Sequence, residues 1–156
     1  MTTKTESVFR VACLQMEPKI GQKEKNLFRS LELIQQAAKA GANLVVLPEL
    51  CNSGYVFETR EEAFDLAEPV PGGPSCESWM AAARKHELFI VAGITERDGD
   101  KLYNAAVVLG PKGYIGTYRK NHLWGEENLF FEPGNLGVPV FHVGAGRIAC
   151  AICYDI

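Results

Sequence analysis

Apolar positions along this chain recur at two different spacings, and the change from one to the other marks out the elements. Residues 8–16 are apolar enough for a strand and lead into a loop containing Pro18 and Gly21. Over residues 24–40, Leu27, Leu31, Ile34 and Ala38 recur at intervals of four, three and four, which puts them on one helical face, and Gly41 closes that helix. Leu44-Val45-Val46-Leu47 is an unbroken apolar run, as expected of a strand covered on both faces. Pro48 stops it. A second helix is predicted from Pro74-Ser75, with Cys76, Trp79, Met80 and Ala83 inward, followed by a buried strand over residues 88–94. Strand and helix alternate through this half, which predicts an α/β sheet with helices outside it.

The second half reads as hairpins. Residues 102–109 and 114–118 flank the turn Gly110-Pro111-Lys112-Gly113, and residues 138–143 and 147–153 flank Gly144-Ala145-Gly146. Between them lies a polar loop, residues 121–135, long enough to suggest a task of its own. The last strand, ending near Cys153, reads as an interior strand left with an open edge.

Composition narrows the function classes. The 156 residues are 47% hydrophobic and 22% charged, enough apolar material for a packed core in one domain or part of one. Sixteen Lys and Arg against nineteen Asp and Glu give a net charge of −3, which argues against a phosphate-neutralising, nucleic-acid-binding surface. No apolar run approaches the ~18 residues of a membrane span, and the polar start does not read as a secretory signal, so no membrane partner is expected. Five widely spread cysteines do not suit a disulfide framework and fit a reducing cytoplasm.

Three residues share one placement: Glu49, Lys120 and Cys153 each end or follow an apolar strand, where α/β sheets carry ligand-binding and catalytic groups. Singly, each has an ordinary explanation as a solvated carboxylate, a surface ammonium or a small buried hydrophobe. Together they form a chemical set. A thiol is only a few per cent ionised at neutral pH, so a nucleophilic Cys needs a base for its proton and a cation for the negative charge that develops.

These positions lie in Val46-Leu47-Pro48-Glu49-Leu50, Tyr118-Arg119-Lys120-Asn121-His122-Leu123 and Ile152-Cys153-Tyr154-Asp155, with the three residues 71 and 33 apart. In order and separation the motifs resemble the nitrilase, or carbon-nitrogen hydrolase, superfamily. Supporting matches are Val11-Ala12-Cys13-Leu14-Gln15-Met16, Tyr103-Asn104-Ala105-Ala106 and Phe130-Phe131-Glu132-Pro133-Gly134. The resemblance implies a hydrolase domain over residues 1–156, C-terminally incomplete, forming the N-terminal part of a four-layer αββα sandwich with a mixed sheet and outer helices. It implies Cys153 as nucleophile, Glu49 as general base, Lys120 as electrostatic stabiliser, and a further carboxylate at Glu127, with Glu126 as the alternative one residue away. It also implies a homo-oligomer that needs no cofactor. The substrate would be a small amide, with carbamoyl compounds and nitriles as alternatives; an inactive fragment or non-catalytic binding module is the reading from another class. Tyr154 would lie against substrate, its N–H toward the tetrahedral species, and Tyr55 and Trp124 line a pocket or cover the core.

Other chemistries find less support. Cys150-Ala151-Ile152-Cys153 is formally C-x-x-C, but strand alternation sends the two thiols to opposite faces, and His86, His122 and His142 are too scattered to complete a metal site. His122 reads as a hydrogen-bonded loop anchor. The glycines from Gly110 to Gly116 join two strands and so form no nucleotide fingerprint.

Overall fold

A computed structural model describes residues 8–156. Strands β1 (Val11–Cys13), β2 (Leu44–Val46), β3 (Phe89–Asp98), β4 (Lys101–Gly110) and β5 (Gly113–Arg119) form a five-stranded sheet in chain order. The β1–β2 and β2–β3 pairs are parallel, and the β3–β4 and β4–β5 pairs antiparallel. The sheet is therefore mixed, and the expected α/β class holds. The hairpin between β3 and β4, turning at Gly99, was not part of the sequence expectation; β3 runs four residues beyond the predicted end at Ile94 because Thr95 to Asp98 pair with Lys101 to Asn104.

Helices α1 (Lys23–Lys39) and α3 (Pro74–His86) cover one face. Residues spaced two apart on β3 and β4, Ile90, Ala92, Ile94 and Ala105, Val107, Leu109, pack there against Ile34, Ala37, Cys76, Trp79 and Ala83. Trp79 is fully buried, and its Nε1 donates to Ser30 Oγ at 2.8 Å, joining the two helices. Glu68 ties down the start of α3: its carboxylate accepts from Ser75 N at 2.8 Å and Ser75 Oγ at 2.9 Å and pairs with Lys23 at 3.0 Å. Glu87, at φ 53°, ends the helix in the left-handed region.

The alternate residues, Val91, Ala106 and Val108, face the opposite side, where they meet Phe141, Val143, Cys150 and Ile152. That cover comes from a short hairpin, β6 (Phe141–Val143) and β7 (Gly146–Ile148), and the extended segment after it. Here the expectation of a strand over residues 147–153 is corrected. The in-out alternation persists, with Cys150 and Ile152 buried and Ala149, Ala151 and Cys153 exposed, but ladder pairing stops at Ile148 and Cys153 opens a 3₁₀ turn. Burial alternation alone does not require a hydrogen-bonded neighbour.

A helix absent from the sequence expectation, α2 (Arg60–Leu66), starts where Thr59 Oγ1 accepts from Glu62 N at 3.1 Å. Its Ala63 joins Leu50, Phe57, Leu102, Phe130 and Phe131 in a third small core beneath the long loop. No helix among the described residues is long and apolar enough to cross a membrane.

Candidate active site

The sheet brings three distant segments together at the ends of β2 and β5. Pro48 ends β2, and the chain crosses β3 at Gly93 so closely that a Cβ there would overlap the Pro48 carbonyl oxygen and lie 2.6 Å from Glu49 Cα. Leu50 follows at φ 46°, a conformation that costs a non-glycine residue about 1–3 kcal/mol and that the surrounding core must hold in place. Glu49 is half-buried there.

Lys120 leaves β5 fully buried, and its Nζ lies 2.8 Å from Glu49 Oε1 and 2.9 Å from Glu127 Oε2. Glu127 comes from a 3₁₀ turn, Gly125–Leu129, within the long loop. It is 4% exposed and accepts from Trp124 N at 2.6 Å. Its neighbour Glu126 is exposed and makes no hydrogen bond or ion pair with this cluster.

Asn104 completes the group. Its Nδ2 donates to Glu49 Oε1 at 2.6 Å and to Glu127 Oε1 at 2.9 Å, while its backbone carbonyl accepts from Lys120 N at 2.8 Å. The amide cannot be turned over without setting its oxygen against two carboxylates. Sequence reasoning quoted Asn104 only as part of a motif and gave it no site role; a polar residue amid the apolar run of β4 was the available signal.

Charge states follow from this packing. Burial works against the Lys120 ammonium, but hydrogen bonds and attraction from Glu49 and Glu127 outweigh it, and its pKa moves above the usual lysine value. Burial likewise pushes Glu127 up, yet the Trp124 N–H, Lys120 and Asn104 together bring it below the usual carboxylate range. Both groups are therefore ionised at neutral pH.

Cys153 arrives on the segment that covers the Val91–Ala106 face of the sheet. It is exposed, sits at φ 48°, and shares with Glu49 a cavity of about 300 Å³ walled by Val46, Val91, Ala106 and Ile152. Its C-x-x-C neighbour Cys150 is buried, and burial pushes that thiol up to about 11; Cys51 and Cys76 are pushed in the same way to about 12. Among the described residues no group of three or more His, Cys, Asp or Glu is placed to hold a metal ion.

On the far side of Glu127 lies a second cavity of about 300 Å³, lined by Tyr55, Trp124, Phe57, Phe130 and Phe131 together with Glu126 and Glu127. Burial and then the Glu127 carboxylate push the Tyr55 phenol above its usual pKa, so it stays a neutral donor. Tyr154 lines neither cavity; its exposed ring lies against Trp124 with centroids 4.9 Å apart. His122 is bonded to Asp155, as a loop anchor would be.

An acid, an ammonium and a second buried carboxylate, with a thiol facing the first across a cavity, make a set able to add a sulfur nucleophile to an electrophilic carbon and move its proton. Residues 10–156 match the carbon-nitrogen hydrolase family. The chain is 51% identical over 146 residues to a nitrilase from Pyrococcus abyssi, covering 94% of this chain and 56% of that protein. It is 38% identical over 140 residues to a beta-ureidopropionase from Arabidopsis thaliana, covering 83% of this chain and 34% of that protein. In structure it resembles a CN-hydrolase superfamily protein from Xanthomonas campestris, solved with an arsenic adduct in its active site, with a TM-score of 0.83 at 26% identity over 94% of this chain and 54% of that one. The chain thus spans about half, or less, of the length of these relatives.

Proposed function

The chain belongs to the carbon-nitrogen hydrolase family, and from that premise we propose that it carries the reacting groups for hydrolysis of a small amide to ammonia and an acid through a Cys153 thioester. The carrying observation is Lys120 bonded to both Glu49 and Glu127 beside the cavity that Glu49 shares with Cys153. In this reading Glu49 takes the thiol proton as Sγ attacks the amide carbon. The ammonium has three donors; two serve the carboxylates and the third faces the developing oxyanion, helped by the Tyr154 backbone N–H. Collapse of the tetrahedral species breaks the C–N bond, and Glu49 passes the proton to the departing nitrogen. A water then gives its proton to Glu49 and attacks the thioester; the acid leaves and the proton returns to sulfur. Glu127 holds Lys120 in line, while Tyr55 and Trp124 bound the substrate.

Two relatives keep neighbouring substrates in the same proposal: the 51% identical protein is a nitrilase and the 38% identical one a beta-ureidopropionase, so nitriles and N-carbamoyl compounds belong in the assay. A free thiol nucleophile suits a reducing, cytoplasmic setting, and self-association into a homo-oligomer, read by sedimentation, is part of the same proposal. The deciding measurement is ammonia release across small amides, carbamoyl compounds and nitriles, on this chain and on one extended to the relatives' length. Cys153→Ala and Glu49→Gln are each expected to abolish it; undiminished turnover in either removes the mechanism.

A further inference from the structure

Lys120 follows strand β5, whereas Cys153 opens a 3₁₀ turn on a segment that pairs with no strand after Ile148, and no hydrogen bond between the two side chains sets their separation. What connects their segments is Asp155. Its carboxylate is 4% exposed and accepts four donors: Tyr118 Oη at 2.6 Å and Ile152 N at 2.9 Å on Oδ2, His122 N at 3.0 Å and the His122 ring Nδ1–H at 3.1 Å on Oδ1. Tyr118 and His122 lie two residues before and two after Lys120, and Ile152 immediately precedes Cys153. One carboxylate therefore fixes both flanks of the lysine and the entry to the thiol's turn. The turn needs such a hold: ladder pairing ends at Ile148, and Cys153 is in the left-handed region.

We propose that Asp155 is a positioning residue whose carboxylate clasps the Cys153 turn to the two sides of Lys120, setting the distance between thiol and ammonium. The inference rests on the hydrolase reading for its consequence, since a misplacement of about 1 Å at a reacting group costs on the order of 10²-fold in rate. Asn at this position replaces one acceptor oxygen with an NH2 group aimed at N–H and O–H donors, so about half of the four bonds are lost.

The experiment compares the wild type with Asp155→Asn by amide hydrogen exchange and by steady-state ammonia release. Expected are exchange about tenfold faster or more at the His122 and Ile152 amides with β3 and β4 unchanged, and a kcat lower by about tenfold or more with KM within about twofold. Retained protection at both amides, or a kcat within about twofold of wild type, overturns the proposal. If protection falls across β3 and β4 as well, Tyr118→Phe decides: it deletes one donor, and kcat is expected to fall about threefold over an intact sheet, whereas an unchanged kcat overturns the clasp. A wild-type chain that releases no ammonia from any compound counts against the hydrolase reading instead, and the clasp is then read from amide exchange alone.

Discussion

The cluster around Lys120 and the turn at Cys153 stand at the same site and are built in opposite ways. Glu49, Lys120, Glu127 and Asn104 are held by a five-stranded sheet and a packed loop, with bonds of 2.6–3.0 Å between every neighbouring pair of them. Cys153 stands exposed on a short 3₁₀ turn with its side chain outside every hydrophobic core, kept in place by its neighbour Ile152 and by Asp155. The buried ion cluster is thus integral to folding here, whereas the exposed thiol is an addition to it. Substitutions in the first region should cost stability and activity together; in the second they should separate the two.

The sharpest separation is Cys153→Ala, expected to lower ammonia release by about 10⁴-fold or more while leaving the urea midpoint unchanged. Lys120→Ala tests the opposite region. It leaves the buried Glu127 and half-buried Glu49 carboxylates without their cation, so a loss of about 3 kcal/mol in urea unfolding is expected, with activity lower by on the order of 10²- to 10³-fold in whatever fraction folds. Glu127→Gln and Glu126→Gln divide the loop: the buried substitution should lower activity by about tenfold or more, and the exposed one should change neither activity nor midpoint. Equal effects would dissolve the distinction between these adjacent carboxylates.

The smallest effect expected is in pH. Glu127 and Asp155 both have folded pKa values below their ordinary 4.5 and 3.8, so the stability they contribute is present above those values and is lost as pH falls through the lower folded ones. Lys120 is shifted above 10.5, so its contribution is complete below that value and is lost only as pH rises through the higher folded one. Urea unfolding should therefore give an acid shoulder and a plateau from about pH 5 to about pH 9, above which the buried Cys51, Cys76 and Cys150 thiols, raised from 9.0, favour the unfolded chain; Glu127→Gln should flatten the acid shoulder. An acid shoulder of the same height in that variant would place its origin elsewhere.

Local pattern carried most of the fold. The α1 face of Leu27, Leu31, Ile34 and Ala38 and the α3 face of Cys76, Trp79, Met80 and Ala83 pack inward as their spacing predicts, because a long amphipathic period has one way to bury itself. Seven-residue α2 carries too short a period to register, and its start depends on Thr59 capping Glu62. The unpaired segment after Ile148 shows the converse: residues 149–152 alternate like a strand, but whether a partner runs alongside is not encoded in alternation.

For the site, residue order alone supplied the chemical inventory: a carboxylate after Pro48, a lysine at the end of β5 and a thiol after an apolar stretch, in the order that resembles one family. Long-range packing, by contrast, buries Glu127 and not Glu126, bonds Asn104 to both carboxylates, leaves room for Glu49 at Gly93, and joins two remote segments at Asp155. The reason is physical. Composition and spacing fix which groups are available and which face of a local element they occupy, while hydrogen bonds between groups tens of residues apart exist only once the sheet has set the strands in register.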